Sequence, residues 1–321
     1  MFKFALSALL AVSLALTGCQ QQSEQSSEAP EYPSGPITMT AGANPGSGFD
    51  ITIRAVVEAL QKERLVDAPL PVENQPGNSG ADFLAKMVEQ YKGKDNQVSV
   101  TSLSMMMNEL LGKSEYGFDD VTMIARLITE YYVVVTRHDS PYNNLGDVMA
   151  GIKADPKSVV VGAANDDQAP FDLMVAASGG EASTINYVDF QGGGDQIAAL
   201  EKGDISVAIG GVSEFVELMN AGSLQALGVL SEERLPGLDV PTAREQGLDV
   251  TLANWRGLYG PPDMPQYAVE FWQNALGKMV QSPTWQQIAK DKQFTTTFMT
   301  GDEFQTFLVE TQADLKQALS L

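Results

Sequence analysis

The apolar residues of this chain fall into two alternating patterns. Short runs rich in β-branched residues, such as 97–102, are typical of strands, while Ile53, Val56 and Leu60 repeat at the spacing of one helical face. The alternation of such segments predicts an α/β fold. The predicted strands are 37–41, 70–73, 97–102, 131–136, 158–162, 185–188, 207–210 and 224–230.

All but one of the predicted strands, 131–136, are followed by glycine or polar residues and then by a helical pattern. Ligands of such sheets bind beyond the carboxyl ends of strands, so these loops are the places to search for a site. The first loop contains Asn44, Gly46, Ser47 and Gly48 and leads into a helix where Asp50 can cap free N–H groups. Helix N-termini bind anions through those N–H groups, although an ordinary strand-to-helix turn has the same pattern.

A second loop contains three consecutive glycines, Gly192, Gly193 and Gly194. Such a run costs conformational entropy on folding, which favours a close approach of the backbone to a ligand. Ser102 and Ser104 lie at a third strand-to-helix junction, where their hydroxyls could contact a ligand or simply cap the helix.

A polar run, Asn165, Asp166, Asp167 and Gln168, follows the predicted strand 158–162. Polar side chains at the end of a strand suit a ligand cleft, and they suit a solvated turn equally well. The sequence leaves both interpretations open.

The first residues are predicted to be processed rather than folded. Lys3 precedes an apolar run that is too short to cross a bilayer as a helix, and the run ends in small residues before Cys19, which resembles a bacterial lipobox. We therefore expect a lipoprotein signal peptide over 1–18 and lipid on Cys19, which would hold the protein at the membrane. Residues 19–35 are rich in Gln, Ser, Glu and Pro and are predicted to be a flexible tether.

Composition excludes several classes of function. The 321 residues include 20 Lys and Arg against 41 Asp and Glu, a formal net charge of -21 that repels nucleic acid. One Cys and one His leave no disulfide framework and no Cys/His zinc site. We predict no nucleic-acid partner on these grounds, and we also expect no cofactor, no metal site and no catalytic residue.

Several of these segments resemble one known family, the extracytoplasmic solute-binding receptors of tripartite tricarboxylate transporters, also called Bug-type receptors. The resemblance runs from about Pro36 to the C-terminus, and the stretch from 140 to 260 is most similar to the citrate-type members. The segments that carry it are NPGSGFD at 44–50, VENQPGNSG at 72–80, YVDFQGGG at 187–194, LQALGVLS at 224–231, PTAREQG at 241–247 and WRGLYGPP at 255–262.

This resemblance implies a two-lobed periplasmic-binding-protein-like fold (type II) with a central cleft, and no enzymatic step. It implies a small carboxylate ligand, tricarboxylate or dicarboxylate, that is delivered to a membrane permease. We expect the first lobe to comprise 36–136 plus 251–321 and the second lobe 137–250. The protein would be a monomer in the periplasm, anchored by its lipid.

Carried over by residue, the resemblance implies a ligand site built from both lobes. The Asp166–Asp167 pair departs from the family, which usually has an uncharged Gly/Ser-rich loop there. Either these carboxylates point away, or a metal is shared, or the ligand is a less charged acid or one with an amino group, because like charges repel. The predicted ligand-binding residues are Asn44, Gly46, Ser47, Gly48, Phe49, Asp50, Ser102, Ser104, Asn165, Gln168, Gly192, Gly193, Gly194 and Arg256.

Two other functions stay open at this point. The same fold could report its ligand to a two-component histidine kinase instead of a permease. An enzyme that uses Asp166 and Asp167 as paired carboxylates is the third alternative, disfavoured because the chain has one His and no nucleophile motif.

Overall fold

Ten strands form one sheet in the computed structural model, which describes residues 31–164 and 167–319. The strands are β1 Thr38–Ala41, β2 Val72–Asn74, β3 Gln97–Ser102, β4 Thr122–Arg137, β5 Val160–Ala164, β6 Asn186–Phe190, β7 Val207–Gly211, β8 Leu224–Val229, β9 Ala253–Gly260 and β10 Thr295–Thr300. The helices are α1 Gly48–Lys62, α2 Ala81–Gln90, α3 Leu103–Leu110, α4 Leu145–Ala154, α5 Gln168–Ala177, α6 Gly193–Lys202, α7 Val212–Asn220, α8 Gln266–Met279, α9 Pro283–Lys292 and α10 Gly301–Leu319.

The strand order is β2-β1-β3-β9-β4-β7-β5-β6, and β8 and β10 pair with β4 in addition. Strand β1 runs parallel to β2 and β3, and β5 runs parallel to β6 and β7. Strands β7, β8, β9 and β10 run antiparallel to β4. The mixed α/β class predicted from the sequence is therefore confirmed.

Strand β4 connects two groups of strands. Its N-terminal part pairs with β9 as far as Tyr131↔Ala253, and from Tyr132↔Gly211 onward it pairs with β7. We call the group β1, β2, β3, β9 and β10 the first lobe, and the group β5, β6, β7 and β8 the second lobe. The residue boundaries predicted for the lobes stay a prediction.

Each lobe has its own apolar core. The first lobe buries Trp272 and Trp285 completely, in cores built from residues before 129 and after 254. The second lobe buries Phe171 and Phe215, in cores built from residues between 132 and 250. The chain therefore passes from the first core to the second and returns after residue 250.

The sequence prediction missed or misjudged several elements. Strands β9 and β10 were not predicted, and β4 begins nine residues earlier than the predicted 131, at Thr122. Strand β8 is followed by turns and a short 3-10 helix at Arg244–Gln246, not by an α-helix. Strand β9 contains a charged residue, Arg256, which lowered its strand signal.

Tyr32 lies within the predicted tether but packs onto the first lobe. Its ring makes edge contacts with Tyr267 and Phe271, and its hydroxyl donates to the carbonyl oxygen of Asp95 at 2.7 Å. Trp272 donates its indole N–H to the same hydroxyl at 3.0 Å. Burial of this aromatic ring therefore attaches the chain to the lobe from residue 32 onward.

The predicted signal peptide, Cys19 and the predicted tether up to residue 30 lie outside the described residues. Within residues 31–164 and 167–319, none of the helices combines the length and the apolar character that crossing a membrane requires.

Candidate functional site

A cavity lined by residues of both lobes lies between them. The first lobe and its loops contribute one wall and the second lobe contributes the other. The lining residues are Ala43, Ser47, Gly48, Phe49, Ser79, Ser102, Asn254 and Arg256 on the first side, and Ala164, Asp167, Gln191, Gly192 and Glu214 on the second.

The two glycine loops meet across this cavity. Asn44 donates its side-chain amide to the carboxylate of Asp195 at 2.9 Å. Gly192 lies so close to Ser47 that a Cβ at position 192 would overlap it, and the φ of 140° at Gly192 also requires glycine. The glycines that the sequence assigned to ligand contact thus allow close contact between the loops, and the lobes are closed on each other.

Several helices begin at the cavity. Helix α1 starts at Gly48, α3 has Ser102 as its N-cap, and α6 has Gly192 as its N-cap. Helix α7 carries Glu214 in its first turn. The positive ends of these helix dipoles converge on one space, which makes it favourable for negative charge despite the acidic surface.

Glu214 places a buried carboxylate in that favourable position. Its Oε1 accepts hydrogen bonds from the backbone N–H of Gly48 at 2.9 Å and of Gly193 at 2.8 Å, and its Oε2 accepts from Gly211 N–H at 2.9 Å. Gly48 belongs to the first lobe and Gly193 to the second. The carboxylate of Glu214 therefore accepts hydrogen bonds from amides of both loops, which the sequence analysis had assigned to the ligand.

Opposing effects act on the pKa of Glu214. Burial raises it most strongly and the nearby carboxylate of Glu130 raises it further, while Arg256 and the amides of Gly193 and Gly211 lower it. The net pKa lies above the ordinary value of a glutamate, because desolvation penalises the charged form.

Arg256 is the cation at the base of the cavity. Its guanidinium forms an ion pair with Glu130, and both side chains are buried. It also approaches the hydroxyl of Thr52 at 3.5 Å. A Cβ at Gly48 would overlap the guanidinium, so glycine at that position is required by the arginine behind it.

The predicted site residue Asp50 lies beneath the first loop rather than along the cavity. Its carboxylate accepts from Gly46 N–H at 2.9 Å, from Arg54 Nε at 2.8 Å and from the Asn74 amide at 2.9 Å. The helix cap is Ser47, whose hydroxyl accepts from Asp50 N–H at 3.2 Å. Asp50 and Arg54 thus fix the shape of the loop.

The two predicted serines have different positions. Ser102 lines the cavity, and its hydroxyl contacts that of Ser104 at 3.0 Å. Ser104 is not among the lining residues, and its hydroxyl donates toward the carbonyl oxygen of Ser79 at 3.4 Å. Ser104 therefore supports the wall that Ser79 and Ser102 form.

The polar run after β5 is described only from Asp167 onward. Asp167 lines the cavity with 8% of its surface exposed, whereas Gln168 donates its side-chain amide to Asp189. Asn165 and Asp166 lie outside the described residues. A carboxylate from this run therefore does face the cavity.

Sequence reasoning brought together only part of the cavity. Of the predicted set, Ser47, Gly48, Phe49, Ser102, Gly192 and Arg256 line it, while Asn44, Gly46, Asp50, Ser104, Gln168, Gly193 and Gly194 do not. Whether any of them binds a ligand stays a prediction. The residues that the sequence analysis missed are Ala43, Ser79, Ala164, Gln191, Glu214 and Asn254.

A signal for Glu214 existed in the sequence. It lies three residues after Gly211 in another strand–glycine–helix junction, where a glutamate commonly accepts a hydrogen bond from the residue that precedes the helix.

In the part of the chain that the structure describes, the remaining charged groups add nothing further to the cavity wall. Arg126 lies away from the cavity, with its guanidinium 4.0 Å from the ring centre of Phe307. Among the described residues, no group of three or more His, Cys, Asp and Glu side chains is placed to hold a metal ion.

Comparison with known proteins gives a consistent result. The family model described as "Tripartite tricarboxylate transporter family receptor" matches residues 53–320. A "UPF0065 protein in the TAR-I ttuE-ttuC' intergenic region" of Agrobacterium vitis is 26% identical over 259 residues, which cover 78% of this chain and 73% of the relative.

Solved structures share the architecture. The periplasmic binding protein BugD superposes with a TM-score of 0.81 at 17% identity, covering 89% of this chain and 98% of BugD. MatC from Rhodopseudomonas palustris, solved with bound malate, superposes with a TM-score of 0.74 at 21% identity, covering 82% of this chain and 90% of MatC. These similarities show the two-lobed periplasmic-binding-protein fold that the sequence resemblance implied.

Proposed function

Because this chain belongs to the receptor family of tripartite tricarboxylate transporters, we propose that it captures a small carboxylate between its lobes and delivers it to a membrane permease without altering it. It would act as an extracytoplasmic lipoprotein, anchored through Cys19. MatC, which shares the fold, was solved with malate, a small carboxylate.

The observation that carries this proposal is the interlobe cavity with converging helix N-termini. Ser47 and Gly48 from one lobe and Gly192 from the other line the same space, so a ligand there would touch both lobes. The arginine at its base and the helix dipoles favour an anionic group. A molecule bound at this position would hold the lobes together, as a receptor that closes on its ligand requires.

The binding test is a thermal-shift screen of small mono-, di- and tricarboxylates, followed by calorimetric titration. A ligand at a hundredfold excess over its Kd stabilises the folded protein by about 2.7 kcal/mol, a shift of several degrees. Stabilisation by phosphorylated or nucleotide compounds alone would contradict the carboxylate proposal.

A matched pair of variants locates the binding site. Ala164→Leu adds bulk inside the cavity, and Ala154→Leu makes the same change at an exposed helix end. The first should abolish the ligand-induced shift, and the second should retain it. Equal shifts in both variants would place the ligand elsewhere.

Transport and anchoring have separate tests. Deletion of the gene should abolish uptake of the ligand, whereas lost gene induction with intact uptake would indicate a sensory role.

Cys19→Ser should prevent incorporation of labelled palmitate and release the protein from the membrane fraction. Retention of the variant at the membrane would refute the lipid anchor.

A further inference from the structure

We propose that Glu214 determines which acids the cleft accepts: its carboxylate permanently fills one anion position, so the ligand carries a single carboxylate. The inference rests on the proposed function, since it defines the class of acid that the same cavity takes. Part of the charge that a dicarboxylate would supply is here supplied by the protein itself.

The geometry of Glu214 is that of a bound acid. Its two oxygens accept three backbone N–H groups, from Gly48, Gly193 and Gly211. Gly48 opens helix α1 and Gly193 opens helix α6, so the carboxylate joins the N-termini of one helix from each lobe. Backbone amides at helix starts are the donors that hold small anions in proteins. These donors are therefore unavailable to a ligand carboxylate.

The side chain of Glu214 is held in this position by its surroundings. A Cβ at Gly193 would lie 2.7 Å from the Cβ of Glu214, and one at Gly210 would lie 2.9 Å from its Oε2. Glycine backbone thus packs against both the stem and the head of the glutamate. This packing and the three backbone N–H bonds hold the carboxylate in the anion position.

The charges around the cavity also restrict the ligand. Arg256 is the one cation among the described lining residues, and it is already paired with Glu130. Asp167 and Glu214 both line the cavity. One ligand carboxylate can lie near Arg256 and the remaining helix N-termini, but a second would meet fixed carboxylates with no further cation to offset the repulsion.

The first experiment tests the anion position directly. Glu214→Ala removes the Cγ, Cδ and two oxygens of the side chain, which are the heavy atoms of acetate. Acetate, compared with chloride at equal ionic strength, should raise the melting temperature of Glu214→Ala by about 2 °C or more. This rise should exceed any rise in the wild type, whose cleft also admits monocarboxylates, and any rise in Glu217→Ala, since Glu217 lies on the same helix with an exposed side chain paired to Lys292. No rescue by acetate would overturn the proposal.

The second experiment tests selectivity with acids of equal chain length. Titration of the wild type with butyrate and succinate should favour butyrate by about tenfold, the scale of one uncompensated like-charge contact. Glu214→Gln keeps the shape of the side chain and removes its charge, and Glu214→Ala empties the position. Both should reduce the preference at least threefold, and Glu217→Gln should not.

The outcomes separate this inference from the function on which it rests. Equal binding of succinate and butyrate by the wild type would overturn the role of Glu214 and leave carboxylate binding intact. Failure of the whole carboxylate panel to bind the wild type or any variant would overturn both. If Glu214→Ala does not fold, titration of Glu214→Gln with butyrate and succinate tests the proposal in its place.

Discussion

Replacement of Arg256 by methionine removes the cation from a buried cluster that also contains Glu130 and Glu214. The side chains of Arg256 and Glu130 are 5% and 0% exposed, so water does not screen the charges that remain. Breaking a buried ion pair by removal of one partner costs about 3–5 kcal/mol. Methionine retains most of the apolar contact of the arginine stem, so this cost reflects the lost charge.

The loss is large compared with the whole stability of a typical domain, about 5–15 kcal/mol. We expect Arg256→Met to lower the free energy of unfolding of the ligand-free protein by this amount at pH 7.5. Urea denaturation followed by both tryptophan fluorescence and circular dichroism would measure it, with coincident curves as the check for two-state unfolding. Arg244→Met is the control, because Arg244 pairs with Asp249 at the surface and should cost less than about 1 kcal/mol.

The pH dependence of this loss has a defined sign. The pKa of Glu214 is already raised in the folded protein, and Arg256 is one of the groups that hold it down. An acid with a raised folded pKa destabilises the fold above that pKa and has no such effect below its unfolded value, near 4.5. The difference between wild type and Arg256→Met should therefore be largest at neutral pH and shrink as pH falls toward 4.5.

A second substitution provides the decisive comparison. Glu130→Gln in the Arg256→Met background removes the carboxylate left without its partner, and it should restore at least half of the lost stability. A loss below about 1 kcal/mol for Arg256→Met, or no recovery in the double variant, would refute the argument that uncompensated charge sets the cost.

Two further substitutions test contacts around the same framework. Gly48→Ala places a methyl group against the guanidinium of Arg256 and should cost about 1–3 kcal/mol by denaturant midpoint, whereas Gly35→Ala, with nothing within 4 Å, should cost almost nothing. Equal losses of stability in the two variants would show that the Arg256 guanidinium moves aside at little cost. Ser282→Ala removes the N-cap of α9, whose hydroxyl accepts from Trp285 N–H at 3.1 Å, and should cost about 1 kcal/mol in the same assay; an unchanged midpoint would mean that another acceptor replaces it.

The sequence predicted the regular parts of the fold well, for physical reasons. Strands such as Gln97–Ser102 have the β-branched, alternating composition that buried strands require, and several of the loops after them contribute residues to the interlobe cavity. Glycine and polar residues after a strand mark a change of direction, and that signal is local. Local signals of this kind can be recognised from one sequence, because only neighbouring residues are involved.

The elements that were missed depend on partners distant in the chain. Strand β9 contains Arg256 and two glycines, which lower its strand propensity, and β4 contains Arg126 and Glu130. Glu130 and Arg256 are tolerated in central strands because they neutralise each other, although they are 126 residues apart. No local pattern predicts that pairing.

The site was predicted in part for the same reason. The glycine loops were found, but which atom each amide would bind depended on Glu214, a residue of another helix. Asp50 was predicted to contact the ligand, and the structure shows its carboxylate bonded to Gly46, Arg54 and Asn74 beneath the loop. Three-dimensional proximity, not residue type, decides between these roles.

The ion pair between Glu130 and Arg256 sits on the two strands that carry the chain from one lobe to the other. Glu130 lies one residue before Tyr131, the last residue of β4 that pairs with β9, and Arg256 lies near the start of β9. A motion that bends these two strands would therefore also displace the ion pair that carries the counter-charge of the cavity. Rotation of one lobe against the other would change the electric field at the bound molecule. The charge of that molecule would in turn shift the equilibrium between more open and more closed interlobe angles.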